Sequence, residues 1–152
     1  MRLAVLASLA LLTATACSDD SPTAPSGPPP TGPRSGVWVG TIVDTANTTG
    51  TLRLDLGERV ADTTTSVLNG TWMMTFADAQ RNGRGSLSGL VNGTQWAALG
   101  VTEPPASCPP VPFASPGSLS IIATATTAEI AGTFNYAVCT NTHSGTITLR
   151  RP

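Results

Sequence analysis

The sequence predicts an all-β domain: an eight-stranded antiparallel up-and-down barrel, built as a meander, behind a disordered Pro-rich tether. Three observations carry that expectation. From Gly36 onward apolar residues recur at every second position, the period of half-buried strands, and no window outside the first residues shows a 3.6-residue period. Turn residues punctuate this pattern at short intervals. Charged residues make up only 11% of the 152, against about 25% in an average soluble protein, while Gly 15 and Pro 13 fill the space with the chemistry of bends. The eight basic residues are all Arg, the formal net charge is -1, and no stretch clusters positive charge, so the electrostatic footprint of a nucleic-acid binder is missing.

The chain opens with Arg2, an apolar run from Leu3 to Leu12 too short to span a bilayer, and the small residues Ala14-Thr15-Ala16 before Cys17. This arrangement resembles the lipobox of bacterial lipoprotein precursors, although Ala14 stands where Leu is usual. The resemblance implies that residues 1–16 are a signal peptide and that the Cys17 thiol is acylated as the mature N-terminus, a membrane anchor of palmitate type. Residues 17–35 then form the lipidated Cys and a tether: 18–35 hold six prolines and almost nothing apolar to bury. Extended as polyproline II, that segment reaches up to ~50 Å from a membrane surface. Ser18, in the position where Asp would retain a lipoprotein at the inner membrane, implies outer-membrane sorting within the cell envelope.

The folded domain is assigned to 36–152, with strands at 37–43, 50–56, 67–77, 85–91, 94–102, 118–125, 129–139 and 144–150. Leu52-Arg53-Leu54-Asp55-Leu56 alternates strictly; Leu68, Gly70, Trp72, Met74 and Phe76 share one face, as do Ile130, Gly132, Phe134, Tyr136 and Val138. Asn92-Gly93 is the strongest hairpin signal, read as a type I′ loop that sets Val91 opposite Thr94 and Gly89 opposite Trp96. Asn47 to Gly50, Asn82-Gly83 and Thr126-Thr127 mark further turns. Odd strands repeat an apolar-x-Gly-Thr core and even strands open with Gly-Thr/Ser-Leu/Ile, as in Gly50-Thr51-Leu52 and Gly85-Ser86-Leu87. Eight sequential strands remove their own edges by closing, and glycines inside strands suit barrel corners.

Gly36-Val37-Trp38 at the start of the first strand resembles the Gly-x-Trp signature of lipocalins, and the Gly-Thr-Trp and Gly-Ser-Leu-Ser-Gly rhythm is similar to avidin-type barrels. The lipocalin resemblance implies that Trp38 closes the barrel floor beneath an Arg of the last strand, Arg150 or Arg151. An eight-stranded barrel is small enough to be filled by side chains or to hold one small ligand.

Cys108 and Cys139 would share one barrel end, because a turn at Thr126-Thr127 sets residue 139 opposite about residue 114. A disulfide between them suits a compartment beyond the inner membrane; a metal pair and a catalytic thiol are the alternatives. A metal would want more ligands than His143, and no nucleophile signature surrounds that histidine, so it is read as an exposed turn residue and no enzymatic activity, cofactor or metal is expected. Two functions stay open. A small apolar ligand at the barrel mouth would touch Trp72, Phe76, Phe113, Phe134 and Tyr136, with the loop 103–117 above it. Alternatively, Trp72, Phe76, Phe134, Tyr136 and the Leu and Ile faces fill the barrel, and the domain is a structural or protein-interaction module of the envelope. An apolar interior cavity of about 300 Å³ favours the ligand; a packed interior favours the module.

Overall fold

The computed structural model describes residues 32–103 and 115–152, so Cys17, Cys108 and Phe113 lie outside the described residues. Eight strands in chain order, β1 (Gly36–Asp44), β2 (Thr49–Val60), β3 (Thr65–Phe76), β4 (Gly83–Asn92), β5 (Gln95–Thr102), β6 (Ser115–Ala125), β7 (Glu129–Cys139) and β8 (Asn141–Arg150), close into one barrel. Every neighbouring pair is antiparallel, and β1 meets β8 from Val39↔Arg150 to Asp44↔Gly145. The up-and-down barrel expected from the period-two pattern is therefore the fold.

Alternation explains why these segments form strands. Leu52, Leu54 and Leu56 face inward with Trp72 and Met74, while Arg53, Asp55 and Thr71 face outward. Direct partners around the wall run Gly36, Leu56, Gly70, Leu87, Gly100, Leu119, Tyr136, His143. His143 sits two residues before Gly145, the partner of Asp44, so this circuit returns to β1 beyond Asp44 rather than at Gly36. The stagger spans the whole of β1, which goes with a steep tilt of the strands to the barrel axis. Inward glycines let adjacent strands approach closely within this wall. A methyl added at Gly70 would run into the Asp55 carbonyl oxygen, and one at Gly85 into that of Val101. The repeated glycines of the sequence thus mark where neighbouring strands approach too closely for a side chain.

Three expectations need correction. The β4–β5 loop is Gly93-Thr94, not Asn92-Gly93: Asn92 pairs with Gln95, Val91 with Trp96 and Gly89 with Ala98. Gly93 has φ 61, so the positive dihedral falls on the first loop residue, the pattern of a type II′ turn, and Asn92 stays extended instead of entering the left-handed region. The slip is two residues, so every side chain keeps its face, and Trp96 Nε1 still packs 2.6 Å from where a Gly89 methyl would stand. Second, the boundary at residue 35 lies too late, because 32–35 are built into the barrel floor. Third, His143 is not in a turn: β8 begins at Asn141, and His143 stands half-buried opposite Tyr136. Cys139 pairs with Ser115 across a bulge, one residue from the expected position.

Candidate functional site

The floor of the barrel, at the start of β1, is closed by the residues assigned to the tether. Gly32 N–H donates to the Glu58 carbonyl (3.2 Å), and the Arg34 side chain crosses the end of the barrel. It donates to Glu58 Oε1 (2.6 Å), to the Gly93 carbonyl (2.7 Å) and to the Ala125 carbonyl (2.9 Å), joining β2, the β4–β5 turn and the end of β6. Trp38, fully buried, donates from Nε1 to the Arg34 carbonyl (2.9 Å). Arg151 lies over the indole at 4.9 Å from its centre and donates to the Pro33 carbonyl (2.6 Å). Of the two arginines expected at Trp38, Arg151 is the one that closes the floor. Arg150, adjacent in a strand, must point the other way and pairs with Glu129 on the outside.

Glu58 is the buried acid of this floor. Burial raises its pKa, but hydrogen bonds from the Arg34 backbone N–H, the Ser66 hydroxyl and the Arg34 guanidinium, with the charge of Arg34, outweigh that effect and hold it below its ordinary value of 4.5. The carboxylate is kept ionised inside the barrel end.

The mouth is closed by a similar pair. Asp44, buried at the end of β1, accepts from Ala46 N–H (2.9 Å) and Thr48 N–H (2.8 Å), which shapes the β1–β2 turn where Asn47 takes φ 60. Its other oxygen accepts from Arg81, carried on a short 3-10 turn at Ala79–Arg81 between β3 and β4. Asn82 Oδ1 then accepts from Phe76 N–H (2.6 Å).

Between the two ends, the side chains expected to line a ligand are inside the core. Trp72, Phe76, Phe134 and Tyr136 are all buried, and Trp72 and Tyr136 meet edge to face at 5.7 Å. Trp72 Nε1 donates to the Ser86 carbonyl (3.1 Å). Trp96 is also buried in this column, its Nε1 without a hydrogen-bond partner among the described residues. The remaining expected contact, Phe113, lies outside the described residues, as do Cys17 and Cys108. No group of three His, Cys, Asp or Glu that could hold a metal occurs among the described residues.

The concave surfaces are on the outside. An open groove of about 550 Å³ crosses β2, β3 and β4 between Arg53, Asp55, Thr71, Met73, Arg84 and Glu103. A second concavity, of about 510 Å³, lies over Val67, Leu90, Ala97 and Ile122, which register places in one row across β3, β4, β5 and β6. Leu99, 73% exposed, is beside that row. Along β2 the outward Arg53, Asp55 and Arg59 and the inward Leu52, Leu54 and Leu56 are the reverse of a lipid-spanning strand. No family model, curated protein or solved structure matches this chain.

Sequence reasoning missed Arg34, Glu58, Arg81 and the outer groove. One signal could have found the first pair: Glu58 continues the inward series Leu52, Leu54, Leu56, and an acid at an inward position demands a partner.

Proposed function

We propose that the mature protein is a lipoprotein of the bacterial cell envelope, anchored through acylated Cys17 at the outer membrane, whose side-chain-filled barrel serves as a non-enzymatic interaction module. The observation that carries the module reading is the interior. Trp38, Trp72, Trp96 and Tyr136 are buried among inward Leu and Ile side chains along the barrel, so an apolar ligand would have to displace the groups expected to greet it. The leader, Cys17 and the Pro-rich residues after it support the anchor. In this reading the tether enters at the floor, so the mouth faces away from the membrane. A Cys108–Cys139 bridge belongs to the same reading. Cys139 is not without a partner, and its place opposite Ser115 puts it beside the strand that follows the segment bearing Cys108.

Cell fractionation tests the anchor: Cys17→Ser should move the protein from the membrane to the soluble fraction, and unchanged membrane association would refute it. An apolar fluorescent probe tests the filled barrel. Saturable one-site binding that perturbs tryptophan emission would refute the filled barrel and support a ligand inside it.

A further inference from the structure

The outer groove sorts its charges by position. Arg53, Met73 and Arg84 are direct cross-strand partners, so the two arginines stand in one row on either side of Met73. Glu103 follows Arg84 across the next strand, bound through its N–H to the Arg84 carbonyl (2.9 Å). Its carboxylate is turned out of that row, accepting from the Ser86 hydroxyl (2.5 Å). Ser86 belongs to the next row toward the floor, Asp55, Thr71, Ser86, in which Asp55 is the other charge. The groove therefore has a cationic side made by Arg53 and Arg84, and an anionic side made by Asp55 and Glu103. Met73 and Thr71 form its base.

Neither arginine closes onto either acid. The side chains of Arg53, Arg84 and Asp55 form no ion pair or hydrogen bond among the described residues, although all three line one groove with Glu103. Elsewhere three arginines meet an acid, Arg34 with Glu58, Arg81 with Asp44 and Arg150 with Glu129, while Arg151 turns to Trp38 and the Pro33 carbonyl and, among the described residues, Arg59 stands exposed with no acid in the same hollow. The groove is the place where opposite charges share a hollow and stay apart.

We propose that this groove binds a zwitterion: a ligand with a phosphate or carboxylate separated by a short spacer from a primary ammonium. The anion sits over Met73 between the two guanidinium forks, each of which matches an oxyanion with paired N–H donors. The ammonium sits over Thr71 between Asp55 and Glu103. Same-face neighbours along a strand are two residues apart, roughly 6.6–6.8 Å, so the two sub-sites suit charges a few bonds from each other. An anion alone would meet the carboxylates as well as the arginines, and a cation alone the reverse. A ligand with both charges satisfies both sides. Phosphoethanolamine has this chemistry, free or as a phospholipid headgroup. The inference does not depend on lipid anchoring, since the groove is formed by β2 to β5 alone.

The test is calorimetric titration of the exported full-length chain with O-phosphoethanolamine, inorganic phosphate and ethanolamine. The zwitterion should bind at least tenfold more tightly than either half. Arg84→Gln should reduce that affinity at least tenfold, and Asp55→Asn should bring the zwitterion down toward inorganic phosphate. Both positions are exposed, so unfolding is checked by unchanged thermal transitions rather than assumed absent; Arg59→Gln, an exposed arginine of β2 outside the groove, should leave binding unchanged. Equal affinity for phosphate and phosphoethanolamine, or no effect of Arg84→Gln, overturns the proposal. Co-sedimentation identifies the source among supporting outcomes. Retention on phosphatidylethanolamine vesicles but not phosphatidylcholine vesicles marks a headgroup ligand, and binding of the free compound without vesicle retention marks a soluble one. Equal retention on both vesicle types, abolished by neither variant, counts against the site.

Discussion

Replacing Arg34 with Ala would remove a guanidinium that is 14% exposed and leave a carboxylate that is 0% exposed without its cation. Breaking one side of a buried pair costs about 3–5 kcal/mol, because the remaining charge stays in a low-dielectric site. The same truncation strips the Gly93 and Ala125 carbonyls of their donor. Against a total stability of about 5–15 kcal/mol, that loss is a large fraction. Glu58→Gln in the Arg34→Ala background removes the stranded charge, so the double variant should be more stable than the sum of the two singles by about 1–3 kcal/mol. The pH dependence follows with a defined sign. The folded pKa of Glu58 is depressed, so its contribution is fully present above the ordinary value of 4.5 and is lost as pH falls through the lower folded value. Urea unfolding followed by tryptophan fluorescence, at neutral pH and in steps below pH 4.5, reads both effects. Glu58→Gln should flatten the acid limb relative to the unmodified chain. Additive single effects within about 0.5 kcal/mol, together with an unchanged acid limb, would refute the claim that Arg34 and Glu58 form the clasp of the floor.

Two further outcomes concern the Trp38 contact and the proposed Cys108–Cys139 bridge. Trp38→Ala should cost about 3–5 kcal/mol, and a double-mutant cycle with Arg151→Ala should show coupling of about 0.5–2 kcal/mol from the cation–π contact, whereas Arg150→Ala should be additive with it; unfolding curves for the four chains decide. Peptide mapping of natively exported protein without reductant should recover Cys108 linked to Cys139, a closure worth about 3–4 kcal/mol, and two alkylatable thiols would exclude it.

Most of the wall was legible in the sequence because period-two burial and glycine placement are local properties. Eight strands, their order and the inward sets around Trp72 and Phe134 follow from alternation alone. The ends were not legible for a different reason. Arg34 sits in a run of Gly, Pro and Ser whose composition is that of a linker, and nothing local reveals that its guanidinium reaches Gly93 and Ala125, residues far away in sequence. Asp44 looks like a turn acid because it is one, accepting from Ala46 and Thr48, and its partner Arg81 is brought over only by the 3-10 turn after β3. The β4–β5 hairpin failed by two residues because Asn92-Gly93 and Gly93-Thr94 are both acceptable loops locally; the choice lies in whether Asn92 must adopt positive φ. The groove escaped because Arg53 and Arg84 are neighbours only through Met73, a relation that needs the register of three strands.

The two ends of the barrel use one device, an inward acid at a strand terminus neutralised by an arginine carried on a segment outside the strands. Glu58 draws down Arg34 from the N-terminal side, and Asp44 draws down Arg81 from the β3–β4 connection. Each carboxylate would be costly where it stands without its cation, so each pair commits a non-strand segment to cover an opening that side chains of the wall alone would leave wet. The aromatic column between them then has no need of a ligand to complete it. What separates Arg53 and Arg84 from these arginines is therefore informative: in a chain with only eight basic residues, two are left unpaired in one hollow beside two acids. Charges kept apart within reach of one another retain their capacity for a partner of opposite layout, and that layout is the zwitterion assigned to the groove.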